Sequence, residues 1–106
     1  MKKSDRLTQK SELSELLLLR SEADACARRG AEYDLQEKPD LAEYQYLQAF
    51  RCNEQLLRIT GDPVYADAAA DCCASLADVC MQQGNMHGAD RYYAQILKYR
   101  SQKQKG

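Results

Sequence analysis

Cysteine and histidine are the side chains through which this chain could bind a metal or supply a nucleophile. The 106 residues include five cysteines and one histidine. Cys73 and Cys80 are seven residues apart, which places them on one face of a helix. Zinc takes four ligands, so two thiolates without a histidine partner make a poor site. His87 lies beside Gly88, with no carboxylate or thiol at a spacing that suits a shared metal. We therefore expect no metal site and no cofactor.

Other catalytic signatures are missing from the sequence as well. It contains no glycine-rich phosphate loop, no Ser/His/Asp set and no HExxH motif. The number of cysteines is odd and none forms a CxxC pair, which favours reduced thiols packed in a core. The five are Cys26, Cys52, Cys72, Cys73 and Cys80. We predict that the protein is not an enzyme and has no catalytic residues. A thiol-based redox or metal function is the alternative that these side chains leave open.

The charge balance and the hydropathy argue against two further classes of function. Fifteen basic and sixteen acidic residues give a formal net charge of −1, so no global field favours nucleic acid or an anionic membrane. The basic residues from Lys98 to Lys105 are expected to complement the dipole of a helix end. Leu16–Leu19 is a short apolar run, whereas a secretory signal needs roughly 7–15 apolar residues and a membrane span roughly 18. We predict a cytoplasmic protein that binds neither nucleic acid nor membrane.

The residue types favour helix almost throughout the chain. Alanine, leucine, glutamine, glutamate, lysine and arginine dominate, and there are only two prolines. After a polar segment, residues 1–10, a first helix is expected from about Ser11, with a buried stripe that includes Leu13 and Cys26. Gly30 is expected to end this helix in the left-handed conformation. Residues 31–39 then form either an inner loop or a helical extension.

Turn residues mark the start of the second helix and its junction with the third. Asp40 and Glu43 have the form of a variant capping box, from which a second helix runs to about Thr60. The segment Gly61-Asp62-Pro63 then predicts a helix end, a cap and the first position of a third helix.

A second helical hairpin is expected around the break at Gly84 and Asn85. Gly84 ends the third helix, and Asn85 caps a fourth helix that runs to about residue 102. The apolar face of the fourth helix includes Tyr93 and Leu97. The predicted fold is therefore all-α, with four main helices in two antiparallel hairpins.

The chain also contains an internal echo. Residues 21–30 and 75–84 are identical at five of ten positions, and residues 42–48 share an alanine, a tyrosine and a glutamine with residues 89–95. The first pair of segments is offset by 54 residues and the second by 47, which predicts a seven-residue insertion within residues 31–41. We interpret the echo as one hairpin used twice. Chance similarity between two alanine-rich helices is the alternative.

The second hairpin resembles a tetratricopeptide repeat, a helix–turn–helix unit of roughly 34 residues. The likeness rests on a large–small pair, a turn glycine, and a small, an aromatic and an apolar residue of the second helix. In order, these are Leu76-Ala77, Gly84, Ala89, Tyr93 and Leu97. The departures are Cys73, Cys80 and Ile96, where the family commonly has an aromatic residue, a tyrosine and an alanine. The resemblance implies a short stack of two units, 11–60 and 62–102, in one domain, 11–104.

The resemblance also implies a function. Members of the family are protein–protein interaction modules, so we expect an adaptor or scaffold that binds a peptide or a helix on a concave face. The residues that would line this face are Arg20, Asp24 and Arg28 in the first unit and Asp71, Asp78 and Gln82 in the second. Arg20 and Asp24 stand where the family's dicarboxylate clamp has lysine and asparagine, so binding of a chaperone C-terminal peptide is not predicted.

A structural homo-oligomer is the second functional hypothesis. Leu16, Leu17, Leu18 and Leu19 cover more than one face of a helix, so they exceed the single stripe that a surface helix buries. Two units are also fewer than the roughly three that repeat stacks usually need for stability. Under this hypothesis the four leucines form a self-interface in a homodimer.

Overall fold

The computed structural model describes the backbone of residues 2–105 and the side chains of residues 12–101. Within these residues it contains four helices and no strand. The helices are α1 (Lys2–Leu35), α2 (Pro39–Thr60), α3 (Pro63–Gln82) and α4 (Met86–Lys105). Each helix packs along the one that follows it in the chain. The predicted all-α fold with packed helical hairpins is confirmed.

The four helices lie in two layers, and contacts between helices that are not consecutive in the chain define these layers. Cys26 of α1, Ala49 of α2 and Cys72 of α3 belong to one buried cluster, so α1 and α3 lie side by side over α2. The rings of Phe50 in α2 and Tyr99 in α4 meet edge to face, with centroids 6.1 Å apart and planes at 75°. The shortest dimension of the molecule is 16 Å. This suits two layers, since the axes of packed helices are about 8–10 Å apart.

The junction between α2 and α3 forms as the sequence predicts. Gly61 has a φ of 69° and donates its N–H to the carbonyl of Leu57 at 2.7 Å, which closes the end of α2. The Asp62 carboxylate accepts the N–H of Val64 at 3.0 Å and thereby caps α3. Pro63 is the first residue of α3, where a missing N–H costs no hydrogen bond.

The turn before α4 is also confirmed. Gly84 has a φ of 76°, the left-handed conformation expected after a helix end. The side-chain oxygen of Asn85 accepts the N–H of Gly88 at 2.9 Å, so Asn85 caps α4 as predicted.

Gly30 does not end the first helix, and this prediction is wrong. α1 begins at Lys2 rather than near Ser11, and it continues through Gly30 to Leu35. The glycine serves close packing instead. A Cβ at Gly30 would lie 2.8 Å from two ring carbons of Tyr46. The missing side chain therefore lets the tyrosine of α2 lie against the backbone of α1.

The capping box predicted for α2 does not form. Pro39 is the first residue of the helix, and Lys38 precedes it with non-helical backbone and no side-chain cap. Proline disfavours helical backbone at the residue before it, so the helix boundary falls at Lys38. Asp40 is already inside α2, and its carboxylate instead accepts a hydrogen bond from the side-chain amide of Gln83 at 2.8 Å.

The two hairpins have the same internal spacing, so the predicted seven-residue insertion is also wrong. Residues 36–38 connect α1 to α2 and residues 83–85 connect α3 to α4, three residues in each case. These connections are 47 residues apart, the offset that the sequence shows for residues 42–48 and 89–95. The echo of 21–30 in 75–84 does not relate equivalent positions, because Gly30 lies inside α1 and Gly84 lies beyond α3.

A small residue occupies the same place in each hairpin under this offset. Gly30 lies against Tyr46 in the first hairpin, and Ala77 packs in a buried cluster with Ala89 in the second. Gly30 precedes Ala42 by the same number of residues as Ala77 precedes Ala89. Both hairpins thus use small side chains where their two helices approach closely.

Burial differs from the sequence prediction on α1 and α4. Leu13, Tyr93 and Leu97 were expected on apolar faces, but they are 60%, 43% and 68% exposed. The reason is that α4 packs on α3 and reaches α2, while no described helix covers its other flank. Tyr99, which the apolar pattern did not single out, is buried against Ala66 and Ala69 of α3.

Candidate functional site

A groove runs between α1 and α3, with α2 as its floor. Its volume is about 200 Å³. The residues that line it are Arg20, Ala23 and Asp24 of α1, Val64, Tyr65 and Ala68 of α3, and Asn53 and Leu56 of α2. Of the residues implied by the tetratricopeptide resemblance, the structure brings Arg20 and Asp24 together in this groove.

Helical spacing explains which α1 side chains form the wall. Leu17, Arg20 and Asp24 follow one another at intervals of three and four residues, so they share one stripe of the helix. Ala23 and Cys26 belong to the adjacent stripe and are buried in the core. The wall therefore combines an exposed leucine at one end with a cation and an anion further along. Arg28, four residues after Asp24, is exposed beyond the groove.

The α3 wall continues beyond the groove as a polar stripe. Asp71, Asp78 and Gln82 follow Val64 at intervals of seven, seven and four residues, which keeps them on the same face of α3. All three are exposed, but none of them lines the groove itself. The residues predicted in the second unit are therefore accessible on the same side of the molecule. They lie next to the groove rather than in it.

The electrostatic surroundings of Tyr46 reveal an acidic region on this side of the molecule. Burial raises the pKa of Tyr46, and the carboxylates of Asp34 in α1 and Asp78 in α3 raise it further, against a hydrogen bond with Ser75 that lowers it. The two carboxylates belong to different helices and act on the same hydroxyl. Asp34 was not among the predicted site residues, because its proximity to Asp78 depends on how α1 and α3 lie side by side.

The groove floor contains a buried polar side chain. Asn53 donates from its amide nitrogen to the carbonyl of Ala49 at 3.0 Å and, at 3.8 Å, to the sulfur of Cys72 in α3. Burial of an amide side chain is tolerated when hydrogen-bond partners of this kind are present. The sequence signal for it is an asparagine within the apolar stripe of α2. It links α2 to α3 directly beneath the groove.

Four of the five buried thiols have a raised pKa. Burial raises the pKa of Cys72 to about 11 and that of Cys73 to about 12. Burial also raises the pKa values of Cys52 and Cys80, and the neighbouring carboxylates of Glu22 and Glu43 add to the effect. A thiol with a raised pKa is a poor nucleophile at neutral pH. Among the described residues, no group of three or more His, Cys, Asp and Glu side chains is placed to hold a metal ion.

A second cleft lies on the opposite side, between α2 and α4. It has a volume of about 290 Å³, and its lining includes Glu43, Cys80, Arg91 and Tyr92. Its thiol is the Cys80 sulfur, which donates a hydrogen bond to Glu43 at 3.8 Å. The raised pKa of that thiol argues against nucleophilic chemistry here.

The four consecutive leucines do not form one patch. Leu16 and Leu19 are half-buried, and each lies seven residues before a core residue of α1. Leu17 and Leu18 are 63% and 62% exposed. Leu17 lies on the groove stripe, whereas Leu18 lies four residues before Glu22, which contacts α2. The exposed leucines therefore point to two different sides of α1.

Comparison of the chain with protein-family models, with curated proteins and with solved structures found no match. Among the described residues, none of the helices has both the length and the apolar character of a membrane span.

Proposed function

We propose that the protein is a non-enzymatic interaction module, an adaptor or scaffold that binds a peptide or a helix of a partner protein in the groove between α1 and α3. One observation carries the proposal. The groove places the exposed Arg20 and Asp24 beside Val64 and Tyr65, over a buried floor that contains Asn53. Apolar surface with a few charged groups at its edge is the usual composition of a site that binds a protein segment.

The charge distribution suggests what the partner segment contains. Leu17 and Val64 provide apolar surface at one end, and Asp34 and Asp78 provide negative charge further along. A segment with an apolar side chain at one end and a lysine or arginine about four helical turns away complements this arrangement. The segment would place its cation near the two carboxylates and its apolar residue near Leu17.

Within this proposal, the chain is a two-unit array of the tetratricopeptide type. The offset of 47 residues supports this view. Under it, Tyr33 corresponds to Cys80 and Ala49 to Ile96. The first unit therefore has the tyrosine and the alanine that the family commonly has at two of the three places where the second unit departs. The five cysteines are free, which supports a reducing compartment such as the cytoplasm.

The experiment that tests groove binding is selection followed by mutation. A display library of random peptides is selected on the immobilised protein, and the selected peptides are titrated against purified variants. We expect Arg20→Ala and Asp78→Ala to weaken binding by about tenfold or more, which corresponds to about 1.4 kcal/mol. Arg51→Ala is the matched control, because Arg51 is an exposed arginine of α2 outside the groove. Selected peptides that bind all variants equally would contradict the proposal.

Self-association through the leucine run is the second candidate function. The observation that favours it is the exposure of Leu17 and Leu18, each more than 60% accessible. Leu17→Glu or Leu18→Glu should then convert a dimer into a monomer, measured by light scattering. Unchanged mass in both variants would contradict this candidate.

A further inference from the structure

The uncovered flank of α4 carries a regular stripe of exposed side chains. Successive members are four, three, four and three residues apart, which keeps them on one face of the helix. The stripe consists of Met86, Asp90, Tyr93, Leu97 and Arg100. All five residues are exposed. The three apolar members are 56%, 43% and 68% exposed, so this face is apolar with one acid and one base. We call these five residues the α4 stripe.

Four residues of the α4 stripe, Asp90, Tyr93, Leu97 and Arg100, are complementary to the same four residues of a second copy that runs in the opposite direction. Consider two copies of α4 packed antiparallel, with a two-fold axis at the level of residue 95. Tyr93 of one copy then faces Leu97 of the other, and Asp90 faces Arg100 of the other. Each of these contacts occurs twice, as in any isologous interface. Asp90 and Arg100 cannot pair within one chain, because ten residues of helix separate them by about 15 Å.

We propose that a second copy of this chain docks on the α4 stripe, and that the protein forms a symmetric homodimer with the two α4 helices antiparallel. The charge order of the stripe argues for a second copy rather than an unrelated protein. An acid and a base at equal distances from the midpoint between Tyr93 and Leu97 give attraction in both symmetric contacts at once. An unrelated partner protein would carry the complementary order of charges only by coincidence.

The surface beside the α4 stripe suits close approach of a second helix. On α3, Ala70 and Ala74 precede Met81 by eleven and seven residues, which places all three on one face of the helix. Both alanines are small and partly or fully exposed. The hydroxyl of Tyr93 donates a hydrogen bond to the sulfur of Met81 in α3 at 3.4 Å. This contact holds the tyrosine against the flank of the hairpin, so its ring presents a fixed surface to the second copy.

The dimer is independent of the proposed groove function. None of the residues that line the groove belongs to the α4 stripe, so both copies keep an open groove. A contact of two helices over five residues each lies at the small end of protein interfaces, below about 1,200 Å². We therefore expect a dimer that dissociates on dilution, rather than an obligate one.

Charge exchange tests the two-fold pairing directly. Light scattering across a concentration series from about 1 μM to about 500 μM gives the dissociation constant of the dimer. Asp90→Arg alone and Arg100→Asp alone each place like charges opposite each other at both symmetric contacts, and each should raise the dissociation constant by about tenfold or more. The double variant restores both attractions, so its dissociation constant should return to within about threefold of the original. Circular dichroism checks that each variant keeps its helix content.

The matched controls are Leu17→Glu and Leu18→Glu, which add a charge to exposed leucines outside the α4 stripe. They should leave the dissociation constant unchanged. A protein that is monomeric at every concentration would overturn the proposal, and so would a dimer that survives both single charge reversals. If Leu17→Glu or Leu18→Glu alone dissociates the dimer, the self-interface lies on α1 and the proposal is also overturned. None of these outcomes bears on peptide binding in the groove, which its own variants test.

Discussion

The hydroxyl of Tyr99 in α4 donates a hydrogen bond to the carboxylate of Glu54 in α2, with 2.8 Å between the two oxygens. α2 and α4 are not consecutive, so this bond joins the two hairpins rather than the helices of one. Burial, this hydrogen bond and the charge of Glu54 all raise the pKa of Tyr99, so the phenol stays protonated and can donate. The edge-to-face contact with Phe50 holds the same ring.

Tyr99→Phe should lower the free energy of unfolding by about 1–2 kcal/mol, because it removes a hydrogen bond to a charged group and keeps the packing of the ring. Urea unfolding followed by circular dichroism measures the change. Tyr44→Phe is the control, since Tyr44 is exposed on α2, and a surface change of this kind stays within about 0.5 kcal/mol. Equal effects of the two variants would show that the Glu54 bond does not stabilise the stack.

Gly30→Ala should destabilise the protein, although alanine is the better helix former. The added Cβ would lie 2.8 Å from ring carbons of Tyr46. Overpacking of this kind costs about 1–3 kcal/mol, against a gain of about 0.5–1 kcal/mol from helix propensity. In a Tyr46→Leu background the shorter, flexible side chain can yield, and Gly30→Ala should then be neutral or stabilising. A stabilising Gly30→Ala in the original protein would contradict the close packing.

Asp62→Ala should lower the free energy of unfolding by about 1 kcal/mol, because it removes the cap of α3. Asp40→Ala is the matched control. Asp40 was the predicted cap of α2, but its carboxylate makes only an exposed hydrogen bond to Gln83, so its removal should cost less than about 0.5 kcal/mol. Denaturant midpoints of the two variants, measured side by side, show which of the two aspartates caps a helix. A larger loss for Asp40→Ala would reverse the cap assignment.

Stability should fall as the pH rises above 9. The pKa of Cys72 in the folded protein is about 11 and that of Cys73 about 12, both raised from an ordinary value of 9.0. Between pH 9 and these values, the unfolded chain loses protons that the folded chain keeps. Deprotonation therefore favours the unfolded state, and the slope fades as the pH falls below 9, where the thiols stay protonated in both states.

Urea midpoints at pH 8, 9 and 10 measure this dependence, with reductant present throughout. Cys73→Ala should be less stable at pH 8 because of the lost packing, and its midpoint should fall less steeply between pH 9 and pH 10. An unchanged slope in this variant would show that Cys73 does not titrate differently in the folded and unfolded states. A lower urea midpoint at pH 8 without a change of slope would report lost packing and not titration.

The features that sequence predicts well here are set by neighbouring residues. The cap at Asp62, the first position at Pro63 and the left-handed Gly84 depend on local backbone geometry, and all three formed as expected. Gly30 has the same local signals as a helix end. Its place inside α1 is decided by the ring of Tyr46, sixteen residues away, and no local pattern contains that contact.

The same distinction applies to the candidate site. The tetratricopeptide resemblance implied that Arg20 and Asp24 share one face of α1, and both are exposed there, because spacing within one helix fixes which residues share a stripe. Tyr65 and Val64 were missed, since their place opposite Arg20 depends on how α1 and α3 lie against each other. The exposure of Leu97 was missed for a related reason. An apolar stripe shows that a face needs a partner, but not whether the chain itself supplies one.

The junction between the hairpins leaves little freedom for the groove to open or close. The junction consists of Gly61 and Asp62, and hydrogen bonds join both residues to the helix ends. The N–H of Gly61 donates to the carbonyl of Leu57 and the N–H of Asp62 to the hydroxyl of Thr60, while the Asp62 carboxylate accepts the N–H of Val64. For the peptide binding that we propose, a groove of constant width would be preorganised, so the conformational entropy lost would be that of the partner segment. A partner that is already helical before it binds would lose less of this entropy than a disordered one.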